Sequence, residues 1–202
     1  MNNEILYVLL SDWADHEPVF LATAITCEER GMRSKPKYVN KIVAPSLGAI
    51  KSCAGFSVMP DYSFETMPQE YAALILIGGY GWLNESEACK VVPVVKNAIK
   101  NGIVVGAICN AASFLAKHGF LNNIKHTGNG IEQLKLWGGS NYANEQGYQN
   151  LQAVSDNRIV TANGTGSLEF AKELLLLLEN DTPEKIEKFY QFNKIGFSNL
   201  VK

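Results

Sequence analysis

Residues 103–119 read IVVGAICNAASFLAKHG. The run 103–108 is apolar without interruption and rich in β-branched residues, which predicts a strand buried on both faces. Residues 111–117 predict a helix that ends at Gly119. A buried strand followed at once by a helix indicates an α/β fold, with Cys109 on the sharp turn between them.

The same alternation of strand and helix extends along the chain. Further strands are predicted at 5–10, 38–44, 73–77 and 158–162, helices at 17–31, 85–100 and 167–179, and short strands and turns at 49–64. Strands that are apolar throughout favour a mostly parallel sheet between two helix layers. Ligands bind at the carboxyl ends of the strands in such sheets, so the loops after Leu10, Ile77 and Ile108 are expected to form the site.

The composition narrows the function classes. The chain has 202 residues and a net charge of -2. It has no run of basic residues that would bind the phosphates of a nucleic acid, and no apolar run long enough to span a membrane, so we expect neither as a partner. Residues 1–202 are predicted to form a single domain, with 181–202 as a C-terminal helical extension opened by Asp181-Thr182-Pro183. The N-terminus lacks a basic signal-peptide region, so we expect a cytoplasmic protein whose four cysteines are thiols.

Cys109 is the candidate nucleophile. Ala111, Ala112 and Ser113 are small enough to permit a strained turn, and the N-terminus of the following helix favours a thiolate and a lowered thiol pKa. The alternative is a buried cysteine that only packs at a strand end.

Two other loops supply candidate partners for Cys109. IGGYGW (residues 77–82) places the N–H groups of glycines after a strand, where they and the Asn110 N–H suit an oxyanion hole; the alternative is a plain turn. DWADHEP (residues 12–18) offers carboxyl groups and His16, which otherwise serve as caps and solvated first-turn residues.

The sequence indicates neither a metal site nor a cofactor. No two histidines have the i, i+4 spacing of a helical metal site, and residues 78–81 do not form the GxGxxG of a dinucleotide fold. TANGTGSLEFA (residues 161–171) suits an anion at a helix N-terminus, but a plain N-cap at Ser167 is the favoured explanation.

Taken together, the segments resemble the ThiJ/PfpI superfamily, which includes deglycases and relatives of the class I glutamine amidotransferases. The resemblance rests on four motifs in the family's order: ILYVLLSDWADHEP, AALILIGGYG, VVGAICNAASFLAKHGFL and IVTANGTGSLEFA. It implies a flavodoxin-like three-layer α/β/α sandwich and a homodimer. It also implies a nucleophile at Cys109, a Glu17 carboxyl hydrogen-bonded to its sulfur, and an oxyanion hole from the N–H groups of Gly79 and Asn110. EPVFLATAI, after Trp13, looks most like an uncharacterised bacterial subgroup.

The sequence departs from two patterns of this superfamily. Asn110 stands where the protease-like branch has a histidine after the cysteine, which argues against peptidase activity. Other branches place a histidine in the strand after GFL; here Asn129 has that place. Either His126, three residues earlier, is the catalytic histidine, or Cys109 and Glu17 form a dyad without one. Amidotransferase activity is disfavoured because Cys109-Asn110-Ala111 replaces the usual CxG.

Three functions fit these residues. The first is an enzyme that attacks a small carbonyl or acyl compound through Cys109, as a hydrolase or in a glyoxalase or deglycase reaction. The second is an oxidative-stress or redox sensor that uses the same cysteine, and the third is a binding protein with an inert cysteine. Trp13, Gly78, Tyr80 and Asn129, with Trp82, are expected to contact the small-molecule substrate.

Overall fold

The computed structural model describes residues 3–26 and 36–196. The strands in these ranges are β1 (Glu4–Val8), β2 (Val39–Ala44), β3 (Ile50–Lys51), β4 (Ser57–Val58), β5 (Tyr62–Ser63), β6 (Ala73–Leu76), β7 (Val104–Ile108), β8 (Ala153–Asp156) and β9 (Ile159–Ala162). The α-helices are α1 (Val19–Thr26), α2 (Glu85–Ala88), α3 (Val91–Lys100), α4 (Asn110–Lys117), α5 (Ile131–Gly138), α6 (Ser167–Leu177) and α7 (Pro183–Ile195). A 3-10 turn, Tyr80–Leu83, precedes α2.

Seven of the strands form one sheet in the order β5-β2-β1-β6-β7-β9-β8. Every neighbouring pair in it is parallel except β8 and β9, which are antiparallel. β3 and β4 form a separate antiparallel pair. The prediction of a mostly parallel central sheet is confirmed.

Both faces of the sheet are covered, which explains the unbroken apolar runs. In β1, Leu6 and Val8 pack into the cluster formed with α3 and α4, whereas Ile5 and Tyr7 pack into the cluster on the opposite face, formed with α1 and α6. Alternate side chains of a strand point to opposite faces, so a strand between two helix layers is apolar at every position. The three-layer α/β/α architecture is therefore confirmed.

The loops after β1, β6 and β7 gather at the carboxyl edge of the sheet, as predicted. Trp13, in the first loop, forms an isolated bridge with Gly79 in the second and another with Ser52. The third loop is the turn at Cys109, whose N–H donates to the Ala162 carbonyl at 2.9 Å. The first two loops are thus held against each other, and the third is held against the end of β9.

The predicted helix over 85–100 is wrong as a single element. It is divided into α2 and α3 at Cys89 and Lys90. Pro93 gives the physical reason: its missing N–H and its ring disrupt a helix interior but fit the first turn, where no intrahelical acceptor is needed. A helix that includes Pro93 therefore begins just before it, and Val91 is that start.

Other boundaries differ less. α6 is capped by Gly166, so the N-cap expected at Ser167 lies one residue earlier. The helix predicted from residue 17 begins at Val19, and its predicted end at Gly31 lies outside the described residues. The helix α5 and the edge strand β8 have no counterpart among the predicted elements. The C-terminal helix expected after residue 181 is α7, whose Ile186 packs into the α1/α6 cluster.

Candidate active site

Cys109 occupies a strained turn between β7 and α4. Its backbone has φ 59° and ψ -126°, a left-handed conformation that is rare for a residue with a side chain. α4 begins at the next residue, so the Asn110 N–H has no intrahelical acceptor and lies beside the cysteine sulfur. The turn therefore presents a half-buried thiol at the positive end of a helix.

Glu17 reaches this thiol from the loop after β1. Its side chain is 1% exposed, and one carboxylate oxygen, Oε2, accepts a hydrogen bond from the Gly78 N–H at 2.6 Å. The other oxygen, Oε1, is buried with no hydrogen-bond partner among the described residues, and the carboxyl group lies beside the Cys109 side chain at Gly78. The structure therefore brings together the two residues that the resemblance pairs, Glu17 and Cys109.

Gly78 permits this contact because it has no side chain. A Cβ atom there would lie 2.6 Å from the Cys109 Cβ, and 2.7 Å and 2.8 Å from the two carboxylate oxygens of Glu17. These separations are shorter than any real Cβ contact. Only glycine at position 78 therefore allows the Glu17 carboxyl and the Cys109 side chain to lie this close together.

Replacing Gly78 with alanine should therefore separate Glu17 from Cys109. We expect the free energy of unfolding to fall by about 2 kcal/mol, which is typical of an added methyl group in a packed site, and the rate of Cys109 alkylation by iodoacetamide to change. Urea unfolding and mass spectrometry of the alkylated peptide measure the two effects. Gly48→Ala is the matched control, since its added Cβ would meet only Ser46 Oγ at 3.6 Å. A Gly78→Ala protein as stable as the control would contradict this account.

Burial makes both the carboxyl and the thiol harder to ionise, and the charge of Glu17 adds to this effect at the thiol. Burial raises the pKa of Glu17 to about 7, although the Gly78 N–H, the Cys109 thiol and His16 lower it. Burial and the charge of Glu17 likewise raise the pKa of the Cys109 thiol, against the N–H donors of Asn129 and Asn110. The sequence-based expectation of a lowered thiol pKa is thus wrong, because it considered the helix terminus and neither the burial of the sulfur nor the neighbouring carboxylate. Protonation of Glu17 removes that charge, so the pair titrates as one coupled unit.

The N–H groups predicted to form an oxyanion hole belong to the residues that follow Gly78 and Cys109 in the chain. Asp12 and Ala14 flank Trp13 and exchange hydrogen bonds with Tyr80 and Gly78, a pattern that turns the Gly79 N–H away from Trp13. No described residue accepts a hydrogen bond from it. Gly79 has φ 127°, and a Cβ there would collide with the Asp12 carbonyl, so only glycine fits.

The Asn110 side chain connects the two candidate donors. Its Nδ2 donates to the Gly79 carbonyl at 3.0 Å, and its Oδ1 accepts from Gln133 Nε2 at 2.9 Å. The side chain thereby fixes the Gly79 peptide relative to the start of α4. Gln133 was not predicted, since it lies on α5, an element that the sequence analysis missed.

Asn129, which was predicted to contact the substrate, contacts the Cys109 sulfur itself. Its Nδ2 lies 3.3 Å from Cys109 Sγ, and its Oδ1 accepts from the Gly164 N–H at 2.8 Å. A Cβ at Gly164 would lie 3.0 Å from Sγ. Gly164 of the TANGTG segment therefore lies against the Cys109 sulfur, a position that was not predicted from the sequence.

The aromatic residues expected to line the pocket separate into two groups. Trp13 is 8% exposed and packs in the α1/α6 cluster, and Trp82 is buried, stacks on Phe114 and donates its indole N–H to the Ile77 carbonyl. Both are core residues, and we do not retain either as a substrate contact. Tyr80 is 66% exposed on the 3-10 turn, so it alone of the three lies at the surface.

His126 is engaged elsewhere. Its ring is fully buried, with Nδ1 against the Ile124 carbonyl at 2.9 Å and Nε2 against the Tyr142 hydroxyl at 2.7 Å. Burial lowers the pKa of His126. With both ring nitrogens occupied and the neutral form favoured, His126 is not available as the base for Cys109, and we leave it out of the catalytic group.

Comparison with known proteins identifies the family. The model of the DJ-1/PfpI family matches residues 5–177, a range that contains Glu17, Gly78, Cys109 and Gly164. The chain belongs to the DJ-1/PfpI family. This confirms the resemblance drawn from the four motifs.

Members of the DJ-1/PfpI family that resemble this chain carry different names. The uncharacterized protease YdeA of Bacillus subtilis (strain 168) is 37% identical over 193 residues, which cover 95% of this chain and 91% of the relative. The glutathione-independent glyoxalase DJR-1.2 of Caenorhabditis elegans is 25% identical over 138 residues, which cover 67% of this chain and 70% of the relative. The crystal structure of the thiJ/pfpI family protein from Bacillus anthracis matches with a TM-score of 0.88 and 29% identity, over 96% of this chain and 91% of that one. The DJ-1/PfpI family thus includes proteins named as enzymes.

No helix within 3–26 and 36–196 has the length and apolar character to cross a bilayer. The same part of the chain gathers no group of three His, Cys, Asp or Glu side chains suited to a metal ion.

Proposed function

We propose that this protein is an enzyme that acts on a small carbonyl compound, with Cys109 as the nucleophile. The observation that carries the proposal is the contact between the Cys109 thiol and a buried Glu17 carboxyl whose pKa is raised to about 7. A carboxyl poised near neutral pH is suited both to accept and to return a proton. A carboxyl that only caps a turn needs neither deep burial nor a thiol partner.

The first step follows from the geometry. Glu17 takes the thiol proton as the Cys109 sulfur attacks the carbonyl carbon, so that a C–S bond forms and the carbonyl π bond breaks. Negative charge develops on the former carbonyl oxygen, where the N–H groups of Gly79 and Asn110 would stabilise it. Glu17 then returns its proton to that oxygen, which gives a neutral hemithioacetal from an aldehyde. Hydrolase, glyoxalase and deglycase reactions share this step and diverge after it.

A peptide substrate is less well served by this site. Cleavage of an amide requires protonation of the leaving amine, for which cysteine proteases use an imidazole beside the thiol. No imidazole of the described residues hydrogen-bonds the Cys109 thiol, and the Asn110 side chain is committed to Gly79 and Gln133. The name of the glyoxalase DJR-1.2 supports small 1,2-dicarbonyl compounds as the first substrates to test.

Replacing Glu17 with glutamine should separate proton transfer from thiol reactivity. We expect kcat for methylglyoxal to fall about 100-fold, because the amide cannot carry the proton. Alkylation of Cys109 at pH 7 should persist, because the substitution removes a negative charge that raises the thiol pKa. Turnover is followed by loss of the dicarbonyl and alkylation by mass spectrometry, with the exposed Glu132→Gln as the control.

Three outcomes decide between the functions. Turnover in wild type that depends on Glu17 supports the enzyme. Absence of turnover on dicarbonyls, esters and peptides, with oxidation of Cys109 at low peroxide, would support the redox sensor instead. A Cys109 that is alkylated only in denaturant would contradict both and leave a binding protein with an inert cysteine. The homodimer, the small-molecule partner and the cytoplasmic location stay predictions.

A further inference from the structure

Gly164 is held at both of its backbone polar groups by side chains from distant parts of the chain. Its N–H donates to Asn129 Oδ1 at 2.8 Å, and its carbonyl lies 3.0 Å from His16 Nε2. His16 is 148 residues away in sequence and belongs to the loop that carries Glu17. The first loop and the loop after β9 are thus joined at Gly164, the residue that lies against the Cys109 sulfur.

These contacts continue to the sulfur. Asn129 accepts from Gly164 through Oδ1, and its Nδ2 is thereby directed at Cys109 Sγ, 3.3 Å away. The order of contacts is His16, Gly164, Asn129 and Cys109. A shift of Gly164 would release the amide of Asn129 and weaken a donor that stabilises the thiolate.

The Gly164 carbonyl determines which partner donates the hydrogen bond in its contact with His16. A carbonyl oxygen only accepts hydrogen bonds, so His16 Nε2 must carry a hydrogen. His16 Nε2 therefore donates this hydrogen to the Gly164 carbonyl, and the contact joins the two loops.

The loop that carries His16 is itself anchored. Asp15 Oδ2 accepts from the Ala54 N–H at 2.9 Å, and the Glu17 N–H donates to the Ala14 carbonyl at 3.2 Å. His16 stands between these two anchors, and its side chain is exposed except for the contact with Gly164. An exposed ring of this kind contributes little to the core, so its removal should leave the fold intact.

We propose that His16 is a positioning residue for Cys109, which acts through Gly164 and Asn129 to hold an N–H donor on the sulfur. The proposal rests on the proposed function, because it concerns the reactivity of the same thiol. It assigns His16 no contact with the substrate and no transfer of a proton.

The test is the pH dependence of Cys109 alkylation by iodoacetamide in three variants. His16→Ala should slow alkylation at pH 7 about fivefold, the size expected for one hydrogen bond, and move the alkylation profile to higher pH. His16→Gln should restore the wild-type profile, because its Nε2–H₂ group reaches the same carbonyl but cannot act as a base. His118→Gln, at the end of α4, is the matched control and should react as wild type does.

Two further measurements show whether the effect passes through the loop. In a double-mutant cycle, His16→Ala should add nothing to Asn129→Ala, because both break the same series of contacts. Hydrogen exchange of peptides that cover residues 163–166 should be faster in His16→Ala and not in His16→Gln, whatever the reactivity of the thiol.

The outcomes that overturn the proposal are distinct. A His16→Gln protein as slow as His16→Ala would show that the imidazole is needed as a base. A reactive wild type with an unchanged His16→Ala would show that the contact with Gly164 does not reach the sulfur. Both results would leave the proposed function standing, whereas a wild-type Cys109 that reacts only in denaturant would contradict that function itself.

Discussion

Replacing Cys109 with serine should lower kcat/KM for methylglyoxal by about 10⁴-fold, the scale on which removal of a nucleophile acts. A hydroxyl is a far weaker acid than a thiol, and a Glu17 carboxyl with a pKa of about 7 is too weak a base to ionise it. The N–H groups of Gly79 and Asn110 would remain in place, so residual activity above the uncatalysed reaction is expected from them alone. Loss of the dicarbonyl with time measures the effect.

The chain offers two matched controls for this substitution. Cys53 and Cys89 are exposed free thiols; Cys53 contacts the Asp12 carbonyl near the site, whereas Cys89 lies between α2 and α3. Cys53→Ser and Cys89→Ser should each retain turnover within about twofold. Serine has nearly the shape of cysteine, so the melting temperature of Cys109→Ser should stay close to that of wild type. A Cys109→Ser protein that keeps its turnover, or a Cys53→Ser protein that loses it, would move the nucleophile away from Cys109.

The sheet and its carboxyl edge were predictable from sequence because a strand buried on both faces appears as an uninterrupted run of apolar residues. Leu6 and Ile5 are neighbours in the chain yet pack into clusters on opposite faces of the sheet. Only a strand between two helix layers requires both residues to be apolar. The unbroken apolar run 5–10 therefore indicates a strand that is buried on both faces. The convergence of Glu17, Gly78 and Cys109 follows, since each lies in the loop after a parallel strand.

What the sequence did not predict depends on contacts between loops. Asn129 and Gly164 lie 35 residues apart and hydrogen-bond each other beside the sulfur, but neither has a spacing or neighbour that indicates this. His126 was chosen for its residue type and its place after GFL, and the fold buries its ring against Tyr142. The helix terminus predicts a lowered thiol pKa, whereas burial of the sulfur and the charge of Glu17 raise it, and neither is visible in the local sequence.

Glu17→Gln should also stabilise the folded protein, and it should do so only at neutral and alkaline pH. The Glu17 pKa rises from 4.5 in the unfolded chain to about 7 in the fold, so the folded state binds the extra proton between these values. Stability therefore falls as the pH rises through this window, and the full cost of about 3 kcal/mol is present above pH 7. Glutamine has no proton to lose and avoids that cost.

The measurement is the free energy of urea unfolding of wild type and Glu17→Gln at pH 4 and pH 8. The advantage of the glutamine variant should be about 3 kcal/mol larger at pH 8 than at pH 4, a ratio of more than 100 in the folding equilibrium. Repeating the comparison in a Cys109→Ser background removes the thiol that titrates with Glu17, and the exposed Glu132→Gln controls for loss of any carboxylate. A difference that is the same at both pH values would mean that Glu17 is not held at a raised pKa. A larger advantage at pH 8 would show that the fold keeps this carboxyl at a cost in stability, which is expected of a group retained for proton transfer.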